Sequence, residues 1–306
     1  MIIVTRPTAV AVETTVATAP AQVVDTDWQV GINGLVLGPG TDYRLADISR
    51  VLGRTVAHID GEQSVRHGVR PGRYRLEKMS KVIEGSIGDG SVSGFSPATV
   101  AQAWDALATA WVPTDHAIPL TYQLPGLGRR RLVGRCGEVD PDLADLAVGL
   151  VRFAVEFVVL DPRQYSEDEQ SAGAALAVST GGFELPFQLP FSLGLGSAGT
   201  LSAPNSGSVP APWTGRLMGP INSPTITHVE SGRHLTLAGL VVAGGDWVDF
   251  DSETHLVLFR GEGSLRSYLT ADSSWFELAP GANTVGLGSP NPGDGTLSVF
   301  WRHAWA

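Results

Sequence analysis

From His234 to Ala306 the chain is cut at near-even intervals by turn-forming residues, and this limits what it can fold into. Residues 234–242, 247–251, 256–260, 265–270, 274–278, 284–287 and 296–305 are rich in β-branched and aromatic residues and read as strands. Between them stand Ala243-Gly244-Gly245-Asp246, Gly261-Glu262-Gly263, Ala279-Pro280-Gly281-Ala282-Asn283 and Asn291-Pro292-Gly293-Asp294-Gly295, which break strands. Short strands with regular turn signals predict an all-β sandwich. A sandwich carries its function on loops and faces, so the fold does not name an activity.

The first half is mixed. Residues 28–37 and 50–59 read as strands, as do 74–86, and residues 1–24 read as an extended arm or edge. One helix is predicted from Ser96-Pro97, an N-cap followed by proline at the first helical position. Val100, Ala103, Trp104, Leu107, Ala108 and Trp111 then recur at three- and four-residue spacing, the stripe of a helix packed on a core. Pro113 ends it. Residues 120–124 and 131–135 flank Pro125-Gly126-Leu127-Gly128 as a hairpin. Val151, Phe153, Val155, Phe157 and Val159 alternate with polar or small residues, the clearest half-buried strand in the chain, which is expected to stop at Asp161-Pro162-Arg163. These readings divide the chain into a first domain at 1–165, a linker at 166–182 and a second domain at 183–306. The aromatic and proline alternation at 183–191 fits an edge or covering segment.

Composition narrows the function classes. The charged fraction is 17%, with 37 Gly and 20 Pro, which suits a turn-rich β chain. No apolar run reaches the roughly 18 residues that span a bilayer, and no signal peptide is read at the start. The single Cys136 allows no internal disulfide and is expected as a small residue in or near a strand. Residues 1–165 carry 16 basic against 18 acidic side chains, and residues 166–306 carry 5 against 13. The acidic second half argues against nucleic-acid or anionic-membrane binding there.

No nucleophile elbow, metalloprotease motif or phosphate loop is present, and the seven histidines have no metal-ligand spacing. No enzyme, cofactor or metal site is expected. Two basic groups stand out, Arg66, Arg70, Arg73 and Arg75 with Lys78 and Lys81, and Arg129, Arg130 and Arg131 with Arg135. They read as solvated faces or subunit contacts. Asp246, Asp249, Asp251 and Glu253 form the densest carboxylate cluster, in which Asp249, Asp251 and Glu253 would share one strand face while Val248 and Phe250 point inward. Trp247, Asp249 and Asp251 are the candidate glycan contacts, and a plain solvent face is the weightier reading. Trp213, Trp247, Trp275, Trp301 and Trp305 could stack on sugars, although core or interface takes precedence.

The order of several motifs resembles the distal tail proteins of long-tailed siphophages. In the first half these are Trp28-Gln29-Val30 with Gly31-Ile32-Asn33-Gly34, Asp60-Gly61 before Arg73-Tyr74-Arg75-Leu76, the 96–111 helix, and Leu160-Asp161-Pro162-Arg163-Gln164-Tyr165-Ser166. In the second half they are Leu185-Pro186-Phe187-Gln188-Leu189-Pro190-Phe191, Asn205-Ser206-Gly207 before Pro210-Ala211-Pro212, Gly219-Pro220, Asn222-Ser223-Pro224, the run from Trp275 to Thr284, and Trp301-Arg302-His303-Ala304-Trp305. The resemblance implies a mainly β fold, with an N-terminal tail-tube-like β-sandwich or barrel carrying one helix and a C-terminal galectin-like β-sandwich. It also implies a structural virion protein at the distal end of the tail. Such proteins form a homo-hexameric ring that joins the tail tube and tape measure proteins to the tail-tip hub or baseplate and anchors receptor-binding proteins. DNA would pass through the lumen without stable binding, so the basic clusters are expected to face neighbouring subunits. The alternative is a carbohydrate-binding module in host-surface recognition.

Overall fold

The structure, a computed structural model, describes residues 24–47, 53, 56–62, 69–76, 78–88, 96–176, 199–291 and 293–306, and it is mainly β. The first part gives β1 (Gln29–Ile32), β2 (Leu35–Leu37), β3 (Tyr43–Asp47), β4 (Val56–Glu62), β5 (Val69–Leu76) and β6 (Met79–Ile87). Helix α1 (Pro97–Ala110) follows, then β7 (Ile118–Gln123), β8 (Arg130–Asp142) and β9 (Val151–Ser166). The main sheet runs β2-β1-β7-β8-β9-β6-β3, and residues Ala304–Trp305 add a short strand beside β9. Its outer strands β2 and β3 are joined by a tight turn in which Gly38 N–H donates to Tyr43 O at 2.9 Å, so the sheet curls nearly closed. Among the described residues β4 and β5 pair only with each other.

Period-two alternation builds this barrel-like core. Val151, Phe153, Val155, Phe157 and Val159 of β9 are buried, and so are Met79, Ile83 and Ile87 of β6 beside them. Helix α1 begins as predicted, with Ser96 Oγ accepting from Thr99 N–H at 3.2 Å. Val100, Leu107 and Trp111 are fully buried, and Trp111 Nε1–H donates to Glu156 O at 2.8 Å. Cys136 lies on β8 and is buried; burial pushes its thiol up to about 11.

Several first-half expectations need correction. The single strand expected at 28–37 is a hairpin, because Asn33 (φ 46°) and Gly34 (φ 83°) both take left-handed conformations between β1 and β2. The strand expected at 74–86 is two, β5 and β6. Strand β9 does not stop at Asp161-Pro162 but runs on to Ser166. Register shifts against β8 between Arg131 and Gly134 accommodate the proline. The strand expected at 50–59 starts at Val56; residues 48–52 and 54–55 lie outside the described residues, as does the arm at 1–23.

The second part gives β10 (Gln170–Ala175), β11 (Gly199–Ser202), β12 (Trp213–Met218), β13 (Ile221–Asn222), β14 (Thr225–His228), β15 (His234–Thr236), β16 (Val241–Val242), β17 (Trp247–Asp251), β18 (Leu256–Phe259), β19 (Gly263–Ser264), β20 (Thr284–Gly288), β21 (Thr296–Trp301) and β22 (Ala304–Trp305). A six-stranded sheet ordered β10-β21-β12-β17-β18-β19 and a four-stranded sheet ordered β11-β20-β14-β15 supply one shared core. Trp213, Leu217, Val248, Phe250, Leu297 and Val299 come from the first sheet, and Leu201, Ile226, Leu235, Val285 and Leu287 from the second. Trp213 stacks on Phe276 at 5.0 Å and donates Nε1–H to Phe276 O at 2.9 Å.

Here too the strand pattern differs in detail. Within the stretch 166–182 expected as a linker, residues 170–175 form β10, paired with β21; residues 177–198 lie outside the described residues. The expected strand at 265–270 is a turn of 3₁₀ helix at Arg266–Tyr268, and 274–278 makes only an isolated bridge from Leu278 to Ala211. The stretch 234–242 splits into β15 and β16, and 296–305 splits at Arg302-His303 into β21 and β22. Strands β11, β12 and β14 carry no expectation from the sequence.

Candidate interaction surfaces

The two parts meet along a seam built from the far end of β9. Strand β22 pairs antiparallel with it, Ala304 opposite Tyr165 and Trp305 opposite Gln164. Ser166 N–H donates to His303 O at 2.9 Å, and His303 N–H donates to Ser166 Oγ at 3.1 Å. Buried Asn205 holds β22 from the other side, its Oδ1 accepting from Gly207 N–H at 2.9 Å and Ala304 N–H at 3.3 Å. Tyr165 belongs to β9 yet its ring is buried in the second core. Burial, then the neighbouring Asp161, pushes its phenol above the ordinary range.

The predicted basic residues divide between places. Arg66 lies outside the described residues. Arg70, Arg73 and Arg75 stand on β5, in register with Gly61, Ile59 and Ala57 of β4. The group at the start of β8 is drawn into the seam. Arg129 pairs with Asp168 at 3.6 Å. Arg130 lies 4.0 Å over the Trp305 ring and donates to Gln164 Oε1 at 3.1 Å. Arg131 faces a cleft of about 430 Å³ that Tyr165, Glu169, Glu253, Trp301 and Arg302 also line. Its Nε is buried without a hydrogen-bond partner. Desolvation, then the like charge of Arg302, lowers its pKa.

Arg163 is bonded to two residues that line that cleft, Asp161 and Glu253, a role the sequence did not suggest. Its Nε–H donates to both Asp161 oxygens at 3.1 and 3.2 Å, and its Nη2–H donates to Asp161 Oδ2 at 3.0 Å. Across the seam Nη1–H reaches Glu277 Oε1 at 3.2 Å, and Nη2–H reaches Glu253 Oε1. Three carboxylates from two parts of the molecule thus share one guanidinium.

The candidate glycan residues lie on the outer face of β17, as the alternation predicts, with Val248 and Phe250 inside. Each is engaged locally. Arg216 and Arg260 place their guanidinium carbons 5.4 and 5.7 Å from the Trp247 ring, and Trp247 Nε1–H donates to Asp249 Oδ2 at 3.0 Å. Asp249 also accepts from Arg216 Nε–H at 2.7 Å. Asp251 caps the following turn, accepting from Glu253 N–H at 2.9 Å and Thr254 Oγ1–H at 2.6 Å. Of the other tryptophans, Trp213 and Trp301 are buried, Trp275 stacks on His255 at 5.1 Å, and Trp305 lies under Arg130. No group of three metal-ligating side chains occurs among the described residues.

Comparison with known proteins centres on the second sandwich. Residues 206–305 match the family described as siphovirus-type tail component, C-terminal domain. No curated protein sequence matches the chain. Among solved structures, the Dit protein of phage SPP1, described as a paradigm of the hub adsorption apparatus in phages infecting Gram-positive bacteria, is similar at TM-score 0.62 and 11% identity, over 91% of this chain and 99% of that one. A chain of the phage P2 baseplate in its activated conformation with Ca is similar at TM-score 0.50 and 9% identity, over 86% and 93%. The same baseplate with Sr gives TM-score 0.50 and 9% identity, over 88% and 96%.

Proposed function

We propose that this chain, whose residues 206–305 match the siphovirus-type tail component C-terminal domain, is a distal tail protein: a structural, non-catalytic subunit of the phage virion. The family match of the second sandwich is the observation that carries the reading. In this reading six copies form a ring through the first, barrel-like part. The ring joins the tail tube and tape measure to the tail-tip hub or baseplate, and the second sandwich faces outward to anchor receptor-binding proteins.

The fold supports such a ring physically. In this reading the β4–β5 hairpin, which pairs with no other strand among the described residues, contributes to the contact with a neighbouring copy. A head-to-tail contact of that kind closes without free edges only in a cyclic assembly. Direct sugar stacking on Trp247 is disfavoured, because guanidinium groups already lie against its ring.

The test is the assembly state. Multi-angle light scattering of the purified full chain, followed by electron microscopy of the particles, is expected to give six-fold rings. A strictly monomeric chain that also fails to enter particles with a tail tube protein would sink the proposal.

A further inference from the structure

The two parts are connected in two different ways. On one side the chain crosses twice, from β9 into β10 and from β21 back into β22, with Ser166 and His303 bonded where the crossings lie together. Two adjacent strands crossing at one place make a hinge line. On the other side lies Arg163. It sits in the irregular stretch of β9 between Asp161 and Tyr165, with its side chain 19% exposed, and each nitrogen of its fork is bonded to a carboxylate. Asp161 holds it from the barrel side, and the Tyr165 ring, which lies in the second core, is 5.6 Å away. Glu253 and Glu277 hold it from the sandwich side.

Clefts flank this cluster. The one of about 430 Å³ lies toward Arg131 and Arg302, and another of about 830 Å³ lies toward Arg233, His255 and Trp275. Glu253 lines both. Apolar packing across the seam is therefore interrupted on either side of the ion cluster, where the Tyr165 ring, set in the second core, is the neighbouring apolar contact. Interfaces between domains that lack a large apolar contact move by default.

We propose that Arg163 is a clasp that sets the orientation of the outer sandwich on the barrel, and that releasing it lets the sandwich turn about the crossing at Ser166 and His303. The planar fork explains the choice of residue. Arginine can serve three carboxylates in fixed directions, whereas a lysine ammonium would hold them only as a point charge. Asp161 serves as the anchor that aims the guanidinium, because it is bonded through Nε and Nη2 and also accepts from Arg163 N–H at 3.0 Å and from Tyr165 Oη–H. Glu253 and Glu277, whose side chains are 51% and 40% exposed, are the releasable half. The proposal stands whether or not the chain works in a phage tail.

The test is a distance measurement in the full chain. Spin labels are placed at Val148→Cys and Val241→Cys, both surface positions, in a Cys136→Ala background. Labelled chain is diluted into excess unlabelled chain so that only distances within one chain are read. The native protein is expected to give one narrow distance population. Arg163→Ala should broaden and shift it, and Arg163→Lys should recover only part of the narrowing. Raising salt to about 1 M, where the screening length falls to about 3 Å, should broaden the native distribution too. The double variant Glu253→Gln with Glu277→Gln cuts only the bonds across the seam and spares the Asp161 anchor. It decides the matter should Arg163→Ala fail to fold. A native-width distribution in that double variant, or in folded Arg163→Ala, overturns the clasp.

Discussion

Asn205 offers the sharpest test of how the seam is held. Its side chain is 1% exposed and has no spare capacity. Nδ2–H donates to Val209 O at 2.8 Å and Leu278 O at 3.0 Å, while Oδ1 accepts from Gly207 and Ala304 N–H. Asn205→Ala removes four buried hydrogen bonds. At about 1 kcal/mol each the loss is about 4 kcal/mol, with orphaned partners adding to it. For a chain of this size that corresponds to a fall in Tm of about 8–16 °C. Asn205→Asp makes a second, signed prediction. An ionised carboxylate would face the Val209 and Leu278 carbonyls in a dry site, so its folded pKa should rise above the unfolded value of about 3.9. A group raised in the folded state contributes its stability below the unfolded pKa and loses it as pH rises through the folded pKa. Asn205→Asp should therefore lie closest to the native protein near pH 4 and furthest from it at pH 7, while the deficit of Asn205→Ala stays level. Urea unfolding followed by tryptophan fluorescence reads both. The reasoning fails if Asn205→Ala lies within about 1 kcal/mol of native, or if the Asp deficit does not vary with pH.

Two other predictions address packing. A Cβ at Gly207 would lie 1.8 Å from Ala304 O, so Gly207→Ala should cost about 1–3 kcal/mol by forcing β22 away from Asn205, read as a lower Tm. Cys136, with its thiol pushed up to about 11 and buried on β8, should react with a thiol reagent at pH 8 only after denaturant is added; rapid reaction of the folded chain would show that the strand opens.

Where local pattern decides the conformation, the chain can be read directly. The alternation from Val151 to Val159, the Ser96-Pro97 start of α1 and the hairpin around Pro125–Gly128 depend on neighbours within a turn, and they match the structure. Asn33-Gly34 carried a hairpin signal that the apolar residues on either side obscured. Pro162 looked like a strand end, because only the partner strand reveals the bulge that accommodates it. The small residues of β10 resemble a linker until β21 is placed beside them. The Arg163 cluster was not legible at all. Its partners lie 90 and 114 positions further along the chain, and no periodicity connects residues so far apart.

The pairing of β22 with β9 also imposes an order of events on folding. Arg302 and Ser166, bonded at the crossing, are 136 residues apart, and closing a loop of that length costs on the order of 4 kcal/mol of chain entropy. Contacts of such separation form late and slow the approach to the native state. Until they form, the stretch of β9 around Gln164 and Tyr165 is bonded to β8 on one side and bare on the other. A nascent barrel thus carries a temporary open strand edge, the kind that other chains can pair with. Its exposure lasts until the sandwich has folded far enough to return β22, so the yield of soluble protein should depend on how fast the second part folds.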